Sequence, residues 1–136
     1  MAVGLKPDLE KILEDLLEDL REDIVGCAFI RLNGSIIAAK LPSREDKHMV
    51  ATLSATINDA ARKLCVSLKR GEHLRTLIEG SGGKIVLMPI GRGVVLVAVT
   101  SEEPNLGLIL IEMEKAAEYV KALLKEPRRS EFLSPV

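Results

Sequence analysis

Few residues in this chain could do chemistry, and their spacing decides what chemistry that could be. The stretch GSGGKI at 80–85 resembles a phosphate-gripping turn. A nucleotide-binding P-loop needs a glycine, four residues, then Gly-Lys-Ser/Thr, so that a hydroxyl follows the lysine onto Mg²⁺. Here Ile78 stands where the first glycine belongs and Ile85 follows Lys84. A glycine-rich hairpin turn between two strands accounts for the pattern. His48 and His73 are the only histidines, Cys27 and Cys65 the only cysteines. Neither histidine has a second His or a Cys at metal-ligand spacing, and no Cys–His nucleophile pair is local. Asp59 and Arg62, three apart on a helical pattern, read as a surface ion pair of small value. Arg92 sits at a hairpin tip, where an arginine finger could sit, and reads as an ordinary turn residue. No enzyme, cofactor or metal site is expected.

Composition narrows the partners. The chain has 136 residues and a net charge of -1, with 47% apolar and only 2% aromatic residues. That length predicts one domain with an aliphatic core. A nucleic-acid binder would carry a basic excess and stacking aromatics; Phe29, Tyr119 and Phe132 are the only aromatic residues. No apolar run approaches the roughly 20 residues that span a bilayer. The acidic start MAVGLKPDLEKILEDLLEDL has no basic and apolar signal pattern. Two cysteines make no disulfide framework, so they read as buried reduced thiols in a cytoplasmic protein. The absence of Gln beside plentiful Glu and Lys hints at a hot-living source.

The elements follow from periodicity. Pro7 and Asp8 open a helix with Leu9, Ile12, Leu13, Leu16, Leu17 and Leu20 at helical spacing. IVGCAFIRL (24–32) reads as a strand, Asn33-Gly34 as a type I′ hairpin turn, and SIIAAKL (35–41) as the returning strand. A long helix is expected from about Arg44 to Lys69, stopped by Gly71. Strands follow at 72–79, 83–90 and 93–99, joined by the short connectors 80–82 and 91–92. A last helix runs from about Asn105 to Lys125. Residues 1–7 are expected as a lead-in, 8–125 as the domain and 126–136 as a flexible tail. The order αββαβββα implies a five-stranded, largely antiparallel sheet. GVVLVAV (93–99), apolar on both faces, must lie centrally with helices above and below; the alternating strand 72–79 belongs at an edge.

The long helix carries two stripes. Val50, Leu53, Ile57, Ala60, Ala61, Leu64 and Leu68 form the greasy one, expected to face the sheet. Ala51, Ser54, Asn58, Ala61 and Cys65, spaced 3, 4, 3, 4, form a seam of small residues. Such a seam admits a second copy of the helix; it would equally let this helix lie tightly on its own sheet. With the greasy stripe assigned to the sheet, the dimer seam is the favoured assignment. His48, Thr52, Ala55, Asp59, Arg62 and Val66 then point outward, a mixed surface suited to a partner.

VGCAFIRLNGSIIAA (25–39), the small-residue helix MVATLSATINDAARKL (49–64), GVVLVAVTSEEPNLGLI (93–109) and the closing amphipathic helix together resemble the roadblock (dynein light-chain) family. The resemblance spans about residues 8–125. It implies a profilin-like fold with strand order 2-1-5-4-3, the first and last helices on one face and the central helix on the other. It also implies a non-catalytic homodimer, paired through an edge strand and the central helix. The interface would use Ala51, Ser54, Asn58, Ala61 and Cys65 with Leu74, Arg75, Thr76, Leu77 and Ile78. A small Ras-like GTPase would be the regulated or scaffolded partner, docked on the outward face. The rival reading is a small-molecule sensor, which usually needs a pocket lined with aromatics and buried polar groups.

Overall fold

The computed structural model describes residues 5–42 and 46–125. In chain order these form α1 (Leu5–Asp19), β1 (Ile24–Arg31), β2 (Ile36–Lys40), α2 (Lys47–Ser67), β3 (Thr76–Gly80), β4 (Gly83–Gly91), β5 (Val94–Thr100) and α3 (Leu106–Lys125). α1 begins at Leu5, which is buried, so residues 5–7 belong to the helix rather than to a lead-in. Pro7 is tolerated because the first turn has N–H groups without helical acceptors. The expected tail at 126–136 lies outside the described residues.

The ends of α2 are set locally. The Asp46 carboxylate accepts from the backbone N–H groups of His48 and Met49, both at 3.1 Å, capping the start. At the other end Arg70 N–H donates to Cys65 C=O at 2.8 Å and Lys69 N–H to Val66 C=O at 3.1 Å. That pair of bonds is the Schellman ending. Lys69 holds the left-handed position with φ of 56°. The stop therefore falls two residues before Gly71, on a lysine.

The five strands form one antiparallel sheet in the order β2-β1-β5-β4-β3. β5 is central. Its side chains alternate: Val94, Leu96 and Ala98 join the core under α1 and α3, while Val95 and Val97 join the smaller core under α2. β1 divides the same way, Cys27 and Phe29 to one side, Ala28 and Ile30 to the other. Leu9, Leu13, Ile109 and Met113 close the thicker layer.

Two local expectations are corrected. The Asn33-Gly34 turn is not type I′, because only Gly34 has positive φ, at 89°. Gly34 N–H donates to Arg31 C=O and Arg31 N–H to Ser35 C=O, both at 2.9 Å, which closes a three-residue loop with a bulge. The Asn33 side chain holds that loop by accepting from Ser35 N–H at 3.0 Å. The two-residue type I′ geometry occurs instead at Arg92-Gly93, with φ of 54° and 77° between the paired Gly91 and Val94. Finally, β3 starts at Thr76, not at 72. Extending its register would set Leu74 opposite Pro89, which has no N–H to give the ladder.

A non-glycine residue in the left-handed region costs about 1 kcal/mol unless its side chain suits it, and Asn suits it well. Arg92→Asn should therefore raise the melting temperature by a few degrees in thermal unfolding followed by circular dichroism. An unchanged or lower midpoint would show that the Arg92 side chain stabilises the turn in some other way.

Candidate interaction surface

α2 lies on the sheet with its small residues down. Ala51, Ser54, Ala55 and Asn58 are buried, against Ala28, Ile30, Leu87, Val95 and Val97 of the sheet. This reverses the expected assignment of the two stripes. The greasy residues face outward: Leu53 is 53% exposed, Ile57 38% and Leu64 60%. At 100° per residue, Leu53, Ile57 and Leu64 lie roughly 130° from the buried set Ala51, Ser54, Ala55 and Asn58, so the two sets cannot both face the sheet. Steric fit chose the small one. Large strand side chains already fill the sheet surface, and a helix with Ala and Ser beneath it can approach closely.

Each expected site residue can now be placed. Of the seam, Ala51, Ser54 and Asn58 are turned onto the protein's own sheet, while Ala61 and Cys65 are half-buried at its margin. Of the outward face, Ala55 is buried instead. His48, Thr52, Arg62 and Val66 are exposed and Asp59 is half-exposed. Of the expected edge residues, Thr76, Leu77 and Ile78 lie in β3, whereas Leu74 and Arg75 precede it. The Arg75 guanidinium pairs with the Glu114 carboxylate of α3, and His73 is buried with Nε2 at 2.7 Å from Thr76 Oγ1. Leu53, Ile57, Ala60, Leu64 and Leu68 are the exposed residues that sequence reading assigned to the sheet-facing stripe. Their signal was present as a second stripe, but periodicity does not say which stripe points inward.

The outward stripe continues into an apolar groove of about 340 Å³. Val50, Leu53 and Ile57 form its helix side, Ile78 of β3 and Ile85 of β4 its sheet side. β3 is bonded only to β4, so its other edge offers unpaired backbone groups along the same rim. On the opposite flank of α2, Asp59 accepts from Arg62 at 3.1 Å and lies 3.0 Å from Lys63. Hydrogen bonds from Lys63 and Arg62 hold the Asp59 carboxyl below its ordinary range.

Chemistry is poorly supplied. Among the described residues, no group of three or more His, Cys, Asp or Glu is placed to hold a metal ion. No described helix is long and apolar enough to cross a membrane. Burial pushes the Cys27 thiol up to about 12, and its Sγ lies 3.6 Å from Leu13 C=O, so it stays protonated and inert.

An antiparallel five-stranded sheet in this order, with two helices on one face and one on the other, defines a profilin-like fold. The chain belongs to the Roadblock/LC7 domain family, whose model matches residues 12–100. The protein MJ1340 of Methanocaldococcus jannaschii is 35% identical over 100 residues, covering 74% of this chain and 87% of that protein. Among solved structures, Myxococcus xanthus MglB superposes with a TM-score of 0.84 at 20% identity, covering 92% of this chain and 93% of that one. The LokiProfilin2 complex with rabbit actin contains a chain matching at a TM-score of 0.59 and 16% identity, over 85% and 97%. The strand order expected from the family resemblance, 2-1-5-4-3, is the one observed.

The reversed packing of α2 makes opposite forecasts for neighbouring positions. Ala51→Leu overpacks a buried site and should destabilise the chain by about 1–3 kcal/mol, whereas Leu53→Lys, on the exposed stripe, should leave the fold seen by circular dichroism intact. Thiol chemistry provides a second check. Ellman's reagent on the native protein should label Cys65 and spare Cys27 until denaturant is added.

Proposed function

We propose that this chain works as a homodimeric, non-catalytic module that binds and regulates or scaffolds a small Ras-like GTPase. The observation that carries the reading is the uncovered aliphatic stripe of α2 running beside the unpaired edge of β3. Fully burying one aliphatic side chain of this size is worth about 1.5–3 kcal/mol, and three of them stand along one helix next to a sheet edge. A second copy related by a two-fold axis would cover both features at once. β3 would pair antiparallel with its copy, while Leu53, Ile57 and Leu64 would meet the same residues across the axis. The interface thus shifts from the small-residue seam to the aliphatic stripe, and it keeps Thr76, Leu77 and Ile78.

The other flank of α2 remains outside such a dimer. His48, Thr52, Arg62 and Val66 are exposed there and Asp59 is half-exposed, and family membership supports a Ras-like GTPase as the partner. Regulation would come from tighter binding to one arrangement of the GTPase switch loops. Asp59 already engages Arg62, and Arg92 closes a turn, so neither arginine is arranged as a catalytic finger.

Light scattering should show a dimer at micromolar concentration, and Ile57→Glu should yield a folded monomer. A wild-type monomer would refute the dimer. With a purified small Ras-like GTPase as partner, Arg62→Ala and Arg92→Ala should each change hydrolysis by no more than about tenfold, because an inserted arginine finger is worth roughly 10³–10⁵. A thousandfold loss at saturating protein with affinity intact would mean that one of them enters the active site.

A further inference from the structure

Two clefts adjoin at the end of the sheet that carries the β4–β5 turn. One, of about 480 Å³, lies between α3 and the segment before β3. The other, of about 320 Å³, lies between the C-terminal half of α2 and the β4–β5 hairpin. Glu72, His73, Pro89 and Gly91 line both, so one runs into the other. The α3 cleft is charged, but its bases are taken, Arg75 by Glu114 and Lys121 by Glu118. Glu72 is exposed and, among the described residues, enters none of the ion pairs. The α2 cleft is mainly apolar. Leu32, Val66, Pro89 and Val94 line it, the first two more than half exposed. Arg62 lines it too, giving one terminal nitrogen to Asp59 and keeping other N–H groups for an acceptor.

The chain that continues from α3 starts beside these clefts. α3 begins at the opposite end of the sheet, where Asn105 N–H donates to the Asp23 carboxylate at 2.8 Å. It then passes the α3 cleft with Glu114, Ala117, Glu118 and Lys121. Its last residue, Lys125, follows Lys121 by about 6 Å along the helix. Residues 126–136 read EPRRSEFLSPV. Packed layers lie about 10 Å apart, so passing from α3 to the far side of the sheet takes roughly 20 Å. From Lys125 to Phe132 an extended chain spans at most roughly 25 Å. Phe132 and Leu133 are therefore within reach of the α2 cleft.

We propose that segment 126–136 passes around the β4–β5 turn and docks in these clefts of its own chain, with Phe132 and Leu133 on the apolar wall of the α2 cleft. Charge fixes the register. Arg128 and Arg129 would pass Glu72, which lacks an ion-pair partner among the described residues. Glu131 would meet the spare N–H groups of Arg62. Phe132, the next residue, would then cover Leu32, Val66 and Pro89, apolar surface that is otherwise wet. The docked segment would lie across Arg62 and Val66 and compete with any partner that uses this flank of α2. That consequence rests on the GTPase reading; the docking does not, because it is measured on this chain alone.

The test uses the full chain carrying Phe132→Trp, since the protein has no tryptophan of its own. Docked against aliphatic side chains, the indole should emit at shorter wavelength than in the urea-unfolded chain and be shielded from acrylamide. Val66→Asp, at an exposed position, should abolish the blue shift and the shielding while circular dichroism stays native. Glu72→Lys turns attraction into repulsion and should reduce both. Adding Arg128→Glu and Arg129→Glu to the Glu72→Lys chain should restore them. After exchange of protomers with a large excess of chains that carry Val66→Asp and keep Phe132, the emission should be unchanged, because the segment sits on its own chain. The proposal is overturned if the indole emits and quenches as in the unfolded chain, if Val66→Asp or Glu72→Lys leaves the signal intact, or if the charge reversal fails to restore it. Loss of the blue shift in the mixture would place the segment on a partner copy and overturn it equally.

Discussion

The constraint on which the rest depends is the burial of β5 on both faces. Val95, Leu96 and Val97 are fully buried, and consecutive residues of a strand point to opposite sides. A strand of that kind cannot sit at an edge or face water on either side. It forces a three-layer arrangement in which the chain must supply helices above and below one sheet. α1 and α3 together close one face with large aliphatic residues. Only α2 is left for the other.

That division leaves the second face short of cover. One helix cannot span five strands, and this one lies low because its buried residues are Ala, Ser and Asn. Close approach completes the core over β1, β5 and β4 but leaves Ile78 and Ile85 along an open groove. The large residues of α2 stand to the side, where they extend that groove rather than fill it. An apolar surface of this shape next to an unpaired strand is what a two-fold interface covers, and an uncovered one invites uncontrolled association. The proposed two-fold dimer would cover the groove and the strand edge together.

The absence of a reactive cluster among the described residues agrees with this economy. The buried thiol of Cys27 packs against α1 and is held protonated by its surroundings. The charged side chains engage one another in exposed pairs, such as Lys11 with Asp15 and Arg62 with Asp59, which contribute little individually. The polar groups that break the pattern are Asn58 and His73. Both are buried, and both line the cleft between α2 and the β4–β5 hairpin. A local inconsistency in an otherwise well-satisfied core is where a functional constraint is expected.

The sequence by itself determined the element order, the central place of β5 and the two-faced cover, because strand and helix periods are local properties of side-chain spacing. The family was legible too, in the quoted stretches and their order. Some local details were not. The turn at Asn33-Gly34 took a bulged form because Asn33 spent its side chain on Ser35, and β3 was cut short by Pro89 on a neighbouring strand. The orientation of α2 was decided only by the tertiary structure. Its sequence holds two stripes, and hydrophobicity favours burying Leu53, Ile57 and Leu64. The folded sheet presents a surface already filled by Ile30, Leu87, Val95 and Val97, onto which only Ala51, Ser54 and Ala55 fit closely. Packing density, a property of two surfaces in contact, overrode the greasier face of one.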